Sequence, residues 1–249
     1  MSIHCRLAAV MLALTLHGQV HAGRVIGGHE AVPHSRPYMV LLERYMSDGT
    51  TKYCGGFLLS EDFVMSAAHC QAKSFTVLLG LHNIHKRTNE VQLINVGQTF
   101  PHEGFNESGL INDVMLLKLN SKAKVNNHVT PIALAGQDDG SLPKSCIVSG
   151  WGRADWKNEM MSPKLMEINV TLIDNKDCEK ENLYCSEGET GPGQGDSGGP
   201  LVCEGVKAYG VVSAMVQPGP SGQTLFRFAK ISDYRGWIIS TIKKAVMQK

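Results

Sequence analysis

The clearest regularity along the chain is an alternation. Met166, Ile168, Val170 and Leu172 are apolar, and Glu167, Asn169 and Thr171 between them are polar. A period of two puts one set on each face of a strand, so 165–173 reads as a half-buried strand. Shorter apolar runs bounded by turn residues at 57–59, 77–79, 91–96, 114–119, 147–148, 211–212 and 225–231 read as further strands. Strands do not alternate with long helical patterns, which disfavours a parallel α/β sheet. Two β-barrels are the expected arrangement. Only the C-terminus has a helical period: Tyr234, Trp237, Ile238, Thr241, Ile242, Ala245 and Val246 recur at spacings of three and four. Ser232 is placed to cap that helix, and Lys243, Lys244 and Lys249 lie near its end, where positive charge is favoured. It is expected to be a packing element.

Composition narrows the class without changing that picture. The chain has 249 residues, 43% hydrophobic and 19% charged, which excludes disordered and fibrous classes. Residues 1–22 stand apart: Arg6 precedes an apolar run over 7–16, and Val20-His21-Ala22 supplies small residues at its end. This pattern predicts a signal peptide, hence an exported protein, and no later apolar run is long enough for a membrane anchor. Residues 1–24 contribute Arg6 and Arg24 to the 24 basic residues and none to the 23 acidic ones, so a chain starting at Val25 has 22 against 23, a net charge of −1. Such a balance gives no electrostatic reason to bind nucleic acid. Export also gives meaning to the cysteines. Cys5 falls in the signal segment, and the remaining Cys54, Cys70, Cys146, Cys178, Cys185 and Cys203 suggest three bridges, with about 15 pairings open.

Candidate chemistry centres on Gly195-Asp196-Ser197-Gly198-Gly199-Pro200, a glycine-flanked turn just before the apolar run Leu201-Val202-Cys203. A serine hydroxyl is a weak nucleophile unless it sits beside a base and near N–H groups aimed at the developing oxyanion. The glycines permit such a turn and leave the N–H groups of Gly195 and Ser197 uncrowded. Ala67-Ala68-His69-Cys70 offers the base, and Asn112-Asp113, ahead of Val114-Met115-Leu116-Leu117, offers the carboxylate that would orient it. In the order His, Asp, Ser, these three segments resemble the chymotrypsin-type serine proteases. The segment 27–39 (GGHEAVPHSRPYM) is similar to the granule branch of that family: granzymes, mast-cell chymases and cathepsin G.

The resemblance, which covers 24–249, implies an all-β fold of two packed six-stranded antiparallel β-barrels with a C-terminal α-helix. The barrels would divide near 131–140, and His69 and Asp113 would face Ser197 across a cleft between the two halves. It selects the pairings Cys54–Cys70, Cys146–Cys203 and Cys178–Cys185. It also implies a zymogen in which removal of Gly23-Arg24 frees the α-amino group of Val25 to pair with Asp196 and order the oxyanion turn. A dipeptidyl peptidase would remove that dipeptide, although Arg24 departs from the acidic residue usual in the branch and equally suits a trypsin-like activator.

Substrate choice would rest on Gly191, Ser213, Met215 and Phe226. Gly191 stands where trypsin-like relatives place an aspartate, so a buried guanidinium would lack its countercharge and Arg or Lys selection is not expected. Glu187 or Glu189 would enter the pocket only on a shifted loop. Ala214 and Met215 replace an aromatic residue and a glycine, and Phe226 occupies a position that is small in deep pockets. These substitutions imply a shallow apolar pocket suited to hydrophobic or small side chains.

Asn106-Glu107-Ser108 and Asn169-Val170-Thr171 are glycosylation sequons. The ten histidines form no HExxH, and Gly27-Gly28 belongs to no phosphate-binding pattern, so no metal or organic cofactor is implied. Expected partners are protein or peptide substrates, an activating protease and serpin-type inhibitors, with the protease itself a monomer that is secreted or held in a granule lumen. The alternatives are a protease-shaped binding protein whose pocket is closed by Met215 and Phe226, and a digestive or plasma protease.

Overall fold

Residues 25–136, 142–155, 158–204, 207–216 and 223–247 are described by the structure, a computed structural model. The expected signal peptide and the dipeptide Gly23-Arg24 lie outside the described residues. A short strand β1 (His29–Glu30) is followed by β2 (Met39–Tyr45), β3 (Thr51–Ser60), β4 (Phe63–Ser66), β5 (Ser74–Leu79), β6 (Gln92–Pro101) and β7 (Met115–Leu119). The last six close into an antiparallel barrel in the order β2-β3-β4-β7-β6-β5. Its interior is filled by Val40, Leu42, Phe57, Val64 and Leu116, all wholly buried. Such close-packed branched and aromatic side chains supply most of the favourable free energy of a small barrel.

The chain then passes to the second barrel. Thr130 N donates to Pro37 O and Ile132 N to Leu58 O, both in the first half. Directly after them β8 (Ala133–Leu134) lies parallel to a strand of the second. The chain therefore passes from the first barrel to the second at Ile132–Ala133; 137–141 lie outside the described residues. The remaining strands are β9 (Ser145–Gly150), the hairpin of β10 (Arg153–Asp155) and β11 (Asn158–Met161), β12 (Met166–Ile173), β13 (Leu183–Gly188), β14 (Pro200–Cys203), β15 (Lys207–Val216) and β16 (Thr224–Lys230). The strands β9, β12, β13, β16, β15 and β14 pair in that order and close through β14–β9, giving a second six-stranded antiparallel ring. Strands β1 and β8 are appended to it. Each half is thus a six-stranded antiparallel barrel, as the resemblance implied.

Two expectations need correction. Glu167 belongs to the polar set of the alternation, yet it is buried, because β1 pairs across it and Arg36 Nε lies 2.9 Å from its carboxylate. Ser232 does not cap the C-terminal helix. Helix α2 (Ile231–Met247) begins one residue earlier, directly out of β16, and Ser232 is buried in its first turn with its hydroxyl bonded to Asp233. A second helix, α1 (Lys176–Lys180), has a side-chain cap: Asn175 accepts from the N–H groups of Asp177 and Cys178. Helix α2 leaves the second barrel and lies against the first, where Lys118 Nζ of β7 donates to Ala245 O at 2.6 Å. Tyr234 and Ile238 belong to the same buried cluster as the first-barrel core, while Val246 is half exposed.

Because Leu116 is wholly buried at the seam of β4 and β7, Leu116→Ala should lower unfolding free energy by about 2–5 kcal/mol, read from the urea midpoint. An equally large loss is not expected from Val246→Ala on the exposed side of α2.

Candidate active site

His69 sits on a single 3-10 turn, Ala68–Cys70, that follows β4. The turn is tied to β3 by the disulfide Cys54–Cys70. Asp113 follows a loop ending in Asn112, a residue held at φ 53° whose side chain bonds Gly104 O and Tyr234 Oη of α2. That loop delivers the Asp113 carboxylate, wholly buried, to His69. Oδ1 accepts from His69 N at 2.8 Å, and Oδ2 lies 2.7 Å from His69 Nδ1. Ser213 Oγ donates to the same Oδ2 at 2.6 Å from the second barrel. A carboxylate only accepts here, so Nδ1 carries the ring hydrogen and Nε2 is left as the free acceptor. Ser213 was expected as a pocket residue, and its bond to Asp113 was not anticipated.

Ser197 reaches the junction on the loop before β14. Its carbonyl accepts from Gly55 N at 2.8 Å, and Gly198 N donates to Val212 O at 2.8 Å, so the loop is bonded to both barrels. Gly198 has φ +84°, and a Cβ there would overlap Ser66 Oγ and come within 2.9 Å of Ala67 N. Only glycine meets both conditions. This approach sets Ser197 against the turn that carries His69, although no hydrogen bond joins the Ser197 hydroxyl to the His69 ring. The N–H groups of Gly195 and Ser197 donate to no main-chain carbonyl among the described residues. Those donors therefore remain unspent.

Asp196, between them, points inward and is wholly buried. Gly152 N donates to Oδ1 at 2.7 Å and Gly193 N to Oδ2 at 2.8 Å. A Cβ on Gly150 would overlap its carboxylate, and one on Gly152 would lie 2.6 Å from Oδ2. Among the described residues no cationic group pairs with it, and burial pushes its carboxyl up to about 6 against the two N–H bonds that pull it down. Val25 is buried in the second-barrel core, with Ile26 O accepting from Gly191 N at 3.0 Å, but in this chain its nitrogen is still a peptide nitrogen.

A cavity of about 430 Å³ opens beside Ser197. Ser213, Ala214 and Met215 form one wall and Pro192 to Gln194 another, with Ile26, Leu110 and Arg153 completing the lining. Met215 is 38% exposed at this wall. Gly191 and Phe226 do not line it: the wholly buried Phe226 ring lies against Gly191, where an added Cβ would be 2.7 Å from Cε2 and Cζ. Glu187 and Glu189 are exposed and do not line it either. Leu110, Arg153 and Gln194 escaped the sequence reading because no local pattern marks them; Leu110 and Gln194 arrive on turns and Arg153 at the start of β10, whose courses only the fold decides.

The other expected bridges, Cys146–Cys203 and Cys178–Cys185, are present. Cys54, Cys70 and His69 cluster as metal-type donors do, but both sulfurs are spent in a disulfide and offer no thiolate. Asn106 and Asn169 are both exposed, the first at a loop bridge and the second on β12. No helix among the described residues is long and apolar enough to cross a membrane.

Two six-stranded antiparallel barrels with a C-terminal helix define the chymotrypsin-like fold. The Trypsin family model matches residues 25–238. Granzyme B of Rattus norvegicus is 38% identical over 252 residues, covering 96% of this chain and all of the relative. Mast cell protease 8 of Mus musculus is 39% identical over 249 residues, with 95% and 97% covered, and the chymase of Cavia porcellus 37% identical, with 96% and 99%. The solved "Structure of GrC" superposes with a TM-score of 0.77 at 35% identity, covering 88% of this chain and all of the other. The chain therefore belongs to the trypsin family of serine proteases and is a serine endopeptidase that acts on protein substrates.

Asp196 gives the uncleaved chain a definite pH dependence. Its carboxyl is neutral in folded and unfolded chains below about pH 4, and between about 4 and 6 only the unfolded chain ionises, so stability falls with rising pH. The full loss, about 3 kcal/mol, is present above about pH 6. Urea midpoints of the chain retaining Gly23-Arg24 should drop across that window, and Asp196→Asn should flatten the drop.

Proposed function

We propose that Ser197 is the nucleophile, His69 the general base and then acid, and Asp113 the group that fixes the imidazole and stabilises its cation. Ser197 Oγ adds to the peptide carbonyl carbon as its proton passes to His69 Nε2. The N–H groups of Gly195 and Ser197 receive the oxyanion. Collapse expels the amine, which takes the proton from His69, and leaves an acyl ester on Ser197; water, deprotonated by His69, then releases the acid. The bonded chain His69–Asp113–Ser213, set beside a serine loop with two unspent N–H donors, is the observation that supports these roles. The missing bond between Ser197 and His69 is compatible with them, since such bonds often tighten only when substrate is bound.

Specificity follows from volume. The Phe226 ring occupies the space against Gly191, and among the described residues no carboxylate lines the cavity, so a basic side chain finds no countercharge and the residue before the scissile bond is small or hydrophobic. Activation follows from Asp196 and Val25. Cutting the Arg24–Val25 bond gives Val25 an ammonium group beside the second-barrel core, where the buried carboxylate lacks a cation. Val25 also has φ 56°, which costs a β-branched residue of order 1–3 kcal/mol while the bond to Arg24 holds it, and cleavage releases it. The active chain is granzyme-like, secreted or granule-stored, glycosylated at Asn106 and Asn169, and subject to serpin-type inhibition. The wholly buried Phe226 favours one second reading, a protease-shaped binding protein with little turnover.

An active-site phosphonate should label the chain beginning at Val25 at Ser197 and not label the chain extended by Gly23-Arg24; Ser197→Ala should lower kcat by about 10³-fold or more. Absence of labelling in the cleaved chain would select the binding-protein reading. A side-chain-scanned peptide library should be cut after hydrophobic or small residues, and cleavage mainly after Arg or Asp would overturn the specificity. Phe226→Gly should widen acceptance to bulkier aromatic residues.

A further inference from the structure

One buried charge has no part in the chemistry above. Arg44, near the end of β2, is partly buried, and among the described residues no carboxylate pairs with it. Burying a guanidinium is costly unless its donors are used. Here Nη2 donates to His69 O at 3.3 Å and to Gln71 O at 3.0 Å, while Nη1 lies 3.4 Å from Cys54 Sγ. The two carbonyls flank Cys70 at the C-terminal end of the 3-10 turn, where main-chain acceptors are otherwise left over and positive charge is favoured.

We propose that Arg44 is a positioning residue for His69, acting through the main chain of the turn; this rests on the role given to His69 above. The disulfide Cys54–Cys70 ties the turn to β3, and Asp113 holds the N–H of His69. Nη2 of the guanidinium spans the carbonyls on both sides of Cys70, and Nη1 reaches Cys54 Sγ, which adds a second point of attachment. His69 is then held at both of its main-chain groups by ionisable side chains from elsewhere: its N–H by Asp113 and its C=O by Arg44. Register explains the reach. Leu42 of β2 lies opposite Cys54 of β3, and Arg44, two residues further along β2, has its Cβ on the same face as Leu42. A lysine brings the charge but not the planar group whose second nitrogen, Nη1, reaches Cys54 Sγ while Nη2 spans the two carbonyls.

Arg44→Met removes a partly buried charge whose Nε has no acceptor among the described residues and keeps apolar volume, so the variant should fold with stability near that of the parent. Loss of alignment at the base should nevertheless lower kcat by about 10-fold or more at unchanged KM, measured per active site titrated with the phosphonate. Arg44→Lys should fall between the two. Equal kcat per titrated site in Arg44→Met overturns the proposal, as does full activity of Arg44→Lys should the Met variant not fold. A parent enzyme that fails to react with phosphonate would instead defeat the assignment of His69 and Ser197 beneath it.

Discussion

The buried carboxylate of Asp113 is the constraint on which the junction of the two barrels depends. It accepts from His69 N, faces His69 Nδ1 and accepts from Ser213 Oγ, with no exposure to water. A carboxylate removed from solvent is tolerated only when its lone pairs are used, and here one user comes from the second barrel. The charge that would orient a base is thus also a polar weld between the two halves. Helix α2 serves the same end by another route. It starts in the second barrel, bonds Asn112 through Tyr234, and finishes against Lys118 of the first. The residue before Asp113 is therefore braced by the last element of the chain.

Asp196 is the counterpart on the other side of the serine loop. Glycines at 150 and 152 make room for its carboxylate, and two N–H groups hold it, yet these bonds do not offset the loss of water. The loop that carries the unspent donors of Gly195 and Ser197 is then built around a carboxylate with no cationic partner among the described residues. Two neutral N–H bonds define where the carboxylate goes, and a cation alone would make its ionised form comfortable there. Geometry and charge are thus divided between different groups at this loop.

Much of this was legible because it is local. The segments around His69, Asp113 and Ser197 carry their own signatures, and the alternation over 166–172 announces β12. Signals fail where burial removes the alternation. In β2 five successive residues, Met39 to Glu43, are buried, so no period of two survives, and β13 offers only Leu183 and Cys185 in phase. Glu167 misled for the opposite reason: a polar residue on the outer face was covered by an added strand and given Arg36 as partner. The bond from Ser213 to Asp113 spans 100 residues, and the grip of Arg44 on His69 spans 25. Neither has a motif, since each depends on which strands the barrels bring side by side.

The irregularity in β15 at Ser213 links the geometry around Asp113 to the shape of the cavity. Pairing with β16 shifts register between Val212 and Ala214, so Ser213 is the residue without a direct partner. A bulge of this kind bends the strand and re-aims its side chains. Ser213 turns its hydroxyl to Asp113, and beyond the shift Met215 comes opposite Phe226, with Met215 at the cavity wall and Phe226 packed against Gly191. In a regular strand, the residues that brace the carboxylate and those that shape the cavity would be fixed by strict alternation. The bulge frees the second set from the first. Bulk at Met215 and Phe226 can therefore reshape what the cavity admits while the bond from Ser213 to Asp113 stays in place.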